Sequence, residues 1–307
     1  MQTVPRRLKS AIRRLLLSLA LAGFSGSAQA NIVGFANVVV TNGYNFIANP
    51  FDAGPDNSLT NIIPIAPEGS EVFLWDTTNQ VFTGPTDYSA SNPGWSDNYL
   101  LPPGRGFVLW VGAKYTNTFV GNVELGFLTN FIAGTNKFTL TASKAPIITN
   151  LTYLGFPLID GGNVYVFSAP RQTYLDAFTC FNGFGWFDPK GASSTNGPLI
   201  GVGQSFFAQN PGPDTNWVFN NPAPPSSPPP PQTLAAAGTS AGPSIQHLAV
   251  NSQKVTLQIS NPGGTPYNIQ FSSDGTTWQT VARKQTSGQW TEPYRNGRQG
   301  YYQVVQP

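Results

Sequence analysis

The sequence predicts an all-β protein, and its composition is the first reason. Turn-forming residues are frequent, with 32 Gly and 28 Pro among 307 residues, while only 10% of the residues are charged. Short runs rich in Val, Ile, Phe, Tyr and Trp lie between these turn formers, a pattern typical of short strands joined by loops. We therefore expect two tandem homologous β-rich repeats, sandwich- or barrel-like, then a proline-rich linker and a small C-terminal antiparallel β-sandwich.

Residues 1–30 are predicted to be an export signal. Five basic residues precede an apolar run from Leu15 to Phe24, and Ala28-Gln29-Ala30 has the small-residue pattern of a cleavage site. The apolar run is shorter than the roughly 20 residues that cross a bilayer, so we expect cleavage after Ala30, no membrane span in the mature chain, and a secreted or periplasmic location.

Removal of the signal changes the charge balance. The chain has 16 Lys+Arg and 14 Asp+Glu, and the five basic residues of the signal leave 11 against 14, a net charge of −3. A weakly acidic chain without a basic cluster lacks the electrostatic footprint of a nucleic-acid-binding protein. Nucleic acid is therefore not an expected partner.

The repeats are predicted at residues 31–123 and 124–221. Gly94-Trp95-Ser96-Asp97 is answered 91 positions later by Gly185-Trp186-Phe187-Asp188. Other landmarks recur in the same order: residues 72–75 match 164–167, 81–82 match 173–175, 103–107 match 202–206, and 116–120 match 215–219. The spacing varies only in loops, as expected for a structural repeat. A short helical turn is expected near residues 58–61 and again near 148–151.

The linker is predicted at residues 222–243 and the C-terminal module at residues 244–307. Seven of the ten residues from Pro222 to Pro231 are proline, and such a segment forms a stiff polyproline II spacer of roughly 30 Å. Beyond it, Val255, Leu257 and Ile259 alternate with polar residues, which indicates an antiparallel sheet with one face in water.

The C-terminal residues resemble a known type of module. The run from Tyr267 to Trp278, then residues 288–292 and the ending at residues 301–305, is similar to fibronectin type III-like or immunoglobulin-like modules, which close many exported proteins of Gram-negative bacteria. The repeats also resemble uncharacterised exported β-repeat proteins of such bacteria. The resemblance implies a sandwich fold and no particular activity, and 60 residues are few for seven strands.

Residues able to perform catalysis are scarce. His247 is the one histidine and Cys180 the one cysteine, so a zinc site of His and Cys ligands is not expected, and neither a metal nor a cofactor is predicted. Cys180 lies between Phe178 and Phe181, which favours a buried, unreactive thiol. Carboxylate pairs remain available, because glycosidases need only two.

The candidate ligand-binding residues are Trp95, Asp97, Trp186 and Asp188. Sugar rings stack on exposed indole faces, and neighbouring carboxylates accept hydrogen bonds from hydroxyl groups. The alternative is that both tryptophans are core residues and both aspartates cap turns. We therefore expect an exported, non-catalytic β-module protein that binds polysaccharide or another cell-surface component, or is structural in the envelope or matrix. The alternative function is a glycan hydrolase that uses carboxylates.

Overall fold

The computed structural model describes residues 31–222 and 242–307, except Pro55, Asn92, Pro93, Thr195 and Asn296. The export signal predicted for residues 1–30 and nearly all of the linker predicted for residues 222–243 lie outside the described residues. The all-β expectation is confirmed. Among the described residues the one helix, α1, has four residues, and the strands form open sheets that do not close into a barrel.

The elements of the first predicted repeat are β1 (Ile32–Val40), β2 (Gly43–Ala48), α1 (Leu59–Ile62), β3 (Glu71–Asp76), β4 (Val81–Ser89), β5 (Gly94–Trp95), β6 (Gly106–Val111) and β7 (Tyr115–Asn122). Those of the second are β8 (Gly126–Ile132), β9 (Lys137–Ala142), β10 (Thr149–Asn150), β11 (Gly162–Ser168), β12 (Thr173–Tyr174), β13 (Phe178–Phe181), β14 (Gly185–Phe187), β15 (Ser193–Ser194), β16 (Leu199–Ile200), β17 (Ser205–Asn210) and β18 (Thr215–Asn221). The C-terminal strands are β19 (Ser244–Val250), β20 (Lys254–Ser260), β21 (Tyr267–Ser272), β22 (Gln279–Gln285), β23 (Gln289–Pro293) and β24 (Gln299–Val305).

The two halves share one pairing pattern. The first half contains a sheet of order β2-β6-β3-β4-β5, and the second contains β9-β17-β11-β13-β14 in the corresponding places. The outer pair β1–β7 likewise corresponds to β8–β18. Every ladder among β1 to β18 stays within one half. Matching order and register are what a duplication would produce, and the common origin of the halves stays a prediction.

One of the sequence matches is shifted by one residue in the structure. The landmarks pair Thr116 with Thr215, yet the first buried residues of the two strands are Asn117 and Trp217. Asn117 Nδ2 donates to the carbonyl of Ile62 at 3.1 Å, and Trp217 Nε1 donates to the carbonyl of Leu154 at 2.7 Å. Because strand side chains alternate between faces, burial sets the register and the repeated Thr-Asn letters do not.

The expected helical turns are found only in part. Residues 59–62 form α1, whereas Thr149–Asn150 form β10 and a hydrogen-bonded turn follows from Leu154 N to Asn150 O. Leu151 and Leu154 are buried in the second half as Leu59 and Ile62 are in the first. The apolar spacing is kept while the backbone conformation differs.

The sheets stack in five layers. Their order is β19-β20-β23, then β22-β21-β24-β1-β7, then β2-β6-β3-β4-β5, then the main sheet of the second half, then β8–β18. The apolar run of β6 shows why the central sheets are covered on both faces. Phe107, Leu109 and Val111 enter the core shared with β1 and β7, while Val108 faces the second half.

The two halves meet through reciprocal contacts that indicate pseudo-twofold symmetry. Ala48 N donates to Gly203 O at 2.9 Å, and Ala142 N donates to Gly104 O at 3.1 Å. Both glycines have positive φ, +69° and +86°, so a side chain at either position would strain the backbone.

Two glutamines strengthen the same junction and also protect strand edges. Gln80 and Gln172 occupy equivalent turns and both have positive φ. The Gln80 amide exchanges two hydrogen bonds with the backbone of Phe138 on β9, and the Gln172 amide does so with Tyr44 on β2. Each amide therefore occupies part of the edge of the opposite half's sheet, where an unpaired strand would otherwise invite pairing.

The C-terminal segment is joined to the first repeat. β24 pairs with β1 from Ile32↔Gln303 to Ala36↔Gln299, so β1 lies between β24 and β7. Val33 and Phe35 enter the core formed by residues 244–307, while Ile32 and Ala36 enter the first-repeat core. The C-terminal strands therefore share a sheet with the first repeat, and β1 contributes residues to two cores at once. The alternation predicted for β20 is confirmed, with Val255, Leu257 and Ile259 buried.

The anchoring points of the proline-rich segment lie close together. Asn221 donates to the carbonyl of Glu124, Ile245 pairs with the Asn31 side chain, and Asn31 contacts Asn122. The described residues on either side of the predicted linker are therefore both attached near the connection of residues 122–126.

Candidate functional site

The two predicted tryptophans are buried in the cores of their halves. Trp95 is 8% exposed, packs against Tyr88 with ring centroids 5.3 Å apart, and donates from Nε1 to Ile63 O at 2.8 Å. Trp186 is 1% exposed and packs against Phe156. Neither indole presents a face on which a sugar could stack. The packing alternative accounts for the recurrence of these residues.

The two predicted aspartates lie in different halves, each shortly after a strand: Asp97 follows β5 and Asp188 follows β14. Asp188 Oδ1 accepts hydrogen bonds from the backbone N–H groups of Lys190 and Ala192, which is the turn-capping role considered above. Asp97 is exposed, and its backbone N–H donates to the hydroxyl of Thr86. The structure thus does not bring Trp95, Asp97, Trp186 and Asp188 into one site.

An aromatic layer that the sequence did not single out lies between the two halves. We call it the aromatic seam. Its buried members are Phe46, Val108, Leu140 and Phe207, and its half-buried margin consists of Phe73, Trp75, Phe138, Tyr165 and Phe167. Phe207 contributes to five edge-to-face or tilted pairs within the seam and its rim, including one with Trp75 at 4.9 Å. Trp75 is fixed by a hydrogen bond from Nε1 to Phe138 O at 2.8 Å.

The seam reaches the surface at two equivalent rings. Phe82 on β4 and Tyr174 on β12 are each 42% exposed. Their centroids lie 6.1 and 6.2 Å from Phe207, and each also packs on a ring of the seam, Trp75 for Phe82 and Phe167 for Tyr174. The rim therefore presents two partly exposed aromatic rings held from below by other rings.

Polar groups near the rim are mostly occupied by the protein itself. The amides of Gln80 and Gln172 bond to backbone, and Thr83 Oγ1 donates to Leu74 O. Burial raises the pKa of Tyr174 to about 12, so its hydroxyl stays protonated at neutral pH and can donate a hydrogen bond. The site is thus suited to stacking, with one phenol to orient a ligand.

The sequence contained part of this signal. The repeat comparison already matched residues 81–82 with residues 173–175, each directly after a polar turn. Side-chain exposure does not follow from that match, because alternation decides which face a strand residue occupies and these strands lie at the junction of two sheets.

Catalytic groups do not converge in the described part of the chain. No group of three His, Cys, Asp or Glu residues capable of holding a metal ion is found there. His247 is exposed on β19, and Cys180 is buried beside Trp186, where burial raises the pKa of its thiol. Two surface pockets, one beside Leu128 and Trp217 and the other beside Ile32 and Trp278, are lined by described residues that include no carboxylate, histidine or cysteine.

One carboxylate pair bears on the hydrolase alternative. Burial raises the pKa of Glu124, Lys144 opposes this effect from 3.9 Å, and Asp52 adds a smaller increase. Asp52 accepts hydrogen bonds from the Asn57 side chain and from Gly54 N, so its carboxylate already has partners within its own loop. Glu124 and Asp52 thus both have protein partners, Lys144 for Glu124 and Asn57 and Gly54 for Asp52, which indicates a structural role where the halves connect.

Comparison of the chain with models of protein families, with curated proteins and with solved structures found no match. In the described part of the chain, no helix has the length and apolar character needed to cross a membrane.

Proposed function

We propose that this chain is an exported, non-catalytic β-protein that binds polysaccharide at the cell surface through the rim of the aromatic seam. The observation that carries the proposal is the pair of half-exposed, equivalent rings of Phe82 and Tyr174 above Phe207. Sugar rings bind aromatic faces through the apolar surface of their C–H groups, and rings fixed by packing lose little conformational entropy on binding.

Two further features support this proposal. The rim lies on a rigid junction, since reciprocal backbone hydrogen bonds and two glutamine amides lock the halves together. Export follows from the predicted signal of residues 1–30, and the resemblance of the chain to exported β-repeat proteins agrees with it.

The test is a depletion assay with the chain from Asn31 onward and a panel of insoluble polysaccharides. We expect at least one glycan to deplete the protein without release of soluble sugar. Phe82→Ala combined with Tyr174→Ala should reduce retention at least tenfold, while Phe184→Ala, an exposed ring elsewhere, should leave retention unchanged.

The outcomes separate the candidate functions. Soluble sugar released in proportion to protein would favour the hydrolase alternative instead. Absence of depletion on every glycan, or equal retention by the rim variant and the Phe184 control, would refute binding at the rim and leave an envelope or matrix structural role. A denaturation curve of each variant ensures that a loss of retention is not a loss of folding.

A further inference from the structure

The second half has an open strand edge at the place where the first half is completed. β1 pairs on one side with β7 and on the other with β24. The equivalent strand β8 pairs with β18, and the described residues supply no strand on its other side. The same fold position is thus filled in one half and open in the other.

Side chains at equivalent positions show the same difference. Phe35 on β1 is 1% exposed beneath the C-terminal strands, whereas its counterpart Phe127 on β8 is 78% exposed. A Cβ added at Gly34 would lie 2.9 Å from the Tyr301 ring of β24, whereas one added at the equivalent Gly126 would meet nothing within 4 Å. No described residue therefore occupies, beside β8, the space that β24 occupies beside β1.

The outer face of the β8–β18 pair is apolar for a surface strand pair. Phe127 and Phe131 on β8 and Val218 on β18 are all exposed there. The sequence of β8, Gly-Phe-Leu-Thr-Asn-Phe-Ile, contains no charged residue and no proline. Natural edge strands usually carry such residues to prevent pairing with another chain, so β8 lacks the usual protection.

We propose that the β8 edge is a homodimer interface in which β8 of one copy pairs antiparallel with β8 of a second copy. The positions of the two phenylalanines favour this occupant. Phe127 and Phe131 are placed symmetrically about Thr129, so pairing centred on Thr129 sets Phe127 of each copy opposite Phe131 of the other on the exposed face. Cross-strand aromatic pairs of this kind stabilise a sheet, and a twofold interface requires such self-complementarity.

The register of this pairing makes a sharp test possible. Opposite residues of an antiparallel pair have Cα atoms about 4.5–5.5 Å apart, within the roughly 4.4–6.8 Å range of disulfides. Thr129→Cys should therefore form an intermolecular disulfide on mild oxidation. Asn216→Cys, exposed on the same face of β18, is the control. Three strand spacings would keep the two residues 216 at least about 14 Å apart, too far for a disulfide. The native Cys180 is buried and should not form an intermolecular disulfide.

Oligomeric state provides the second measurement. Sedimentation velocity of the chain from Asn31 onward should show a concentration-dependent dimer. Phe131→Lys should raise the dissociation constant of the dimer at least tenfold. Val39→Lys changes an exposed residue at the equivalent position of β1 and should leave the constant unchanged.

Three results would overturn the proposal: a chain that stays monomeric up to millimolar concentration, a dimer in which Thr129→Cys does not cross-link, or equal cross-linking at Thr129→Cys and Asn216→Cys. Polysaccharide retention uses the seam and not β8, so a monomer that still binds glycan would refute this inference alone.

Discussion

Removing the Phe35 side chain tests whether β1 completes the core of the C-terminal strands. Phe35 is 1% exposed within that core, and its ring packs on Tyr294 at 5.9 Å. Its partner across the ladder is Gly300, which lies so close that an added Cβ would be 2.6 Å from the ring. Because glycine has no side chain to refill the space, the cavity left by Phe35→Ala should persist.

The expected loss is large relative to total stability. Truncation of a buried phenylalanine costs about 3–5 kcal/mol, and the absence of a refilling side chain favours the upper part of that range. Whole domains are stable by only about 5–15 kcal/mol. Phe35→Ala should therefore unfold the C-terminal strands at low denaturant concentration.

The assay is urea denaturation followed by tryptophan fluorescence and far-ultraviolet circular dichroism. Trp290 packs against the core of the C-terminal strands and reports on it, while Trp278 packs against the first-repeat core. Phe184→Ala makes the same chemical change at a 78% exposed ring and should cost less than about 0.5 kcal/mol. A cost below about 1 kcal/mol for Phe35→Ala would show that β1 does not close this core.

Two further predictions concern side chains at the candidate site and at the junction. Trp95→Phe should destabilise the chain by about 1–3 kcal/mol more than Trp186→Phe, because it leaves the buried carbonyl of Ile63 unpaired, whereas the buried Nε1 of Trp186 has no hydrogen-bond partner to lose; equal costs by chemical denaturation would contradict this. Gln80→Asn should cost about 1–2 kcal/mol, since asparagine tolerates the positive φ but is too short to reach Phe138. Gln246→Asn, at an exposed position on β19, is its control. Equal free energies of unfolding for the two variants would mean that the hydrogen bonds of the Gln80 amide contribute nothing to stability.

Local patterns in the sequence were sufficient for the strands but not for their assembly. Alternation around Val255 and Leu257 set the buried face of β20, and the apolar run of β6 indicated cover on both faces. The pairing of β1 with β24 joins the two ends of the described chain. Residue periodicity shows which face of a strand is buried, but it does not show which distant strand pairs with it. Its one local sign was the apolar run Ile32–Ala36, which is buried on both faces.

The candidate site was missed for a different physical reason. Trp95 and Trp186 recur because both halves need a large buried ring at that position, and a packing requirement repeats as faithfully as a binding site would. Exposure of Phe82 and Tyr174 depends on how two sheets meet, which becomes visible only when both halves are placed together.

The strand order of the C-terminal segment suggests how its short length is compensated. In immunoglobulin-type sandwiches one sheet contains strands A, B and E and the other C, F and G. Here β19-β20-β23 correspond in order to A-B-E and β21-β24 to C-F, with β22 outside β21. The immunoglobulin-like fold expected for residues 244–307 stays a prediction; in the structure β1 lies beside β24, on the side away from β21.

This arrangement explains why the two halves differ at their edges. The two halves have equivalent outer strands, β1 and β8, and the C-terminal segment pairs with β1 alone. Asn31 fixes the choice, since its side chain exchanges two hydrogen bonds with the backbone of Ile245 at the start of β19. The residue that corresponds to Asn31 in the second half is Val123, whose side chain cannot form hydrogen bonds. The C-terminal segment is therefore specified for β1, and β8 keeps the same strand geometry with an edge available to a second chain.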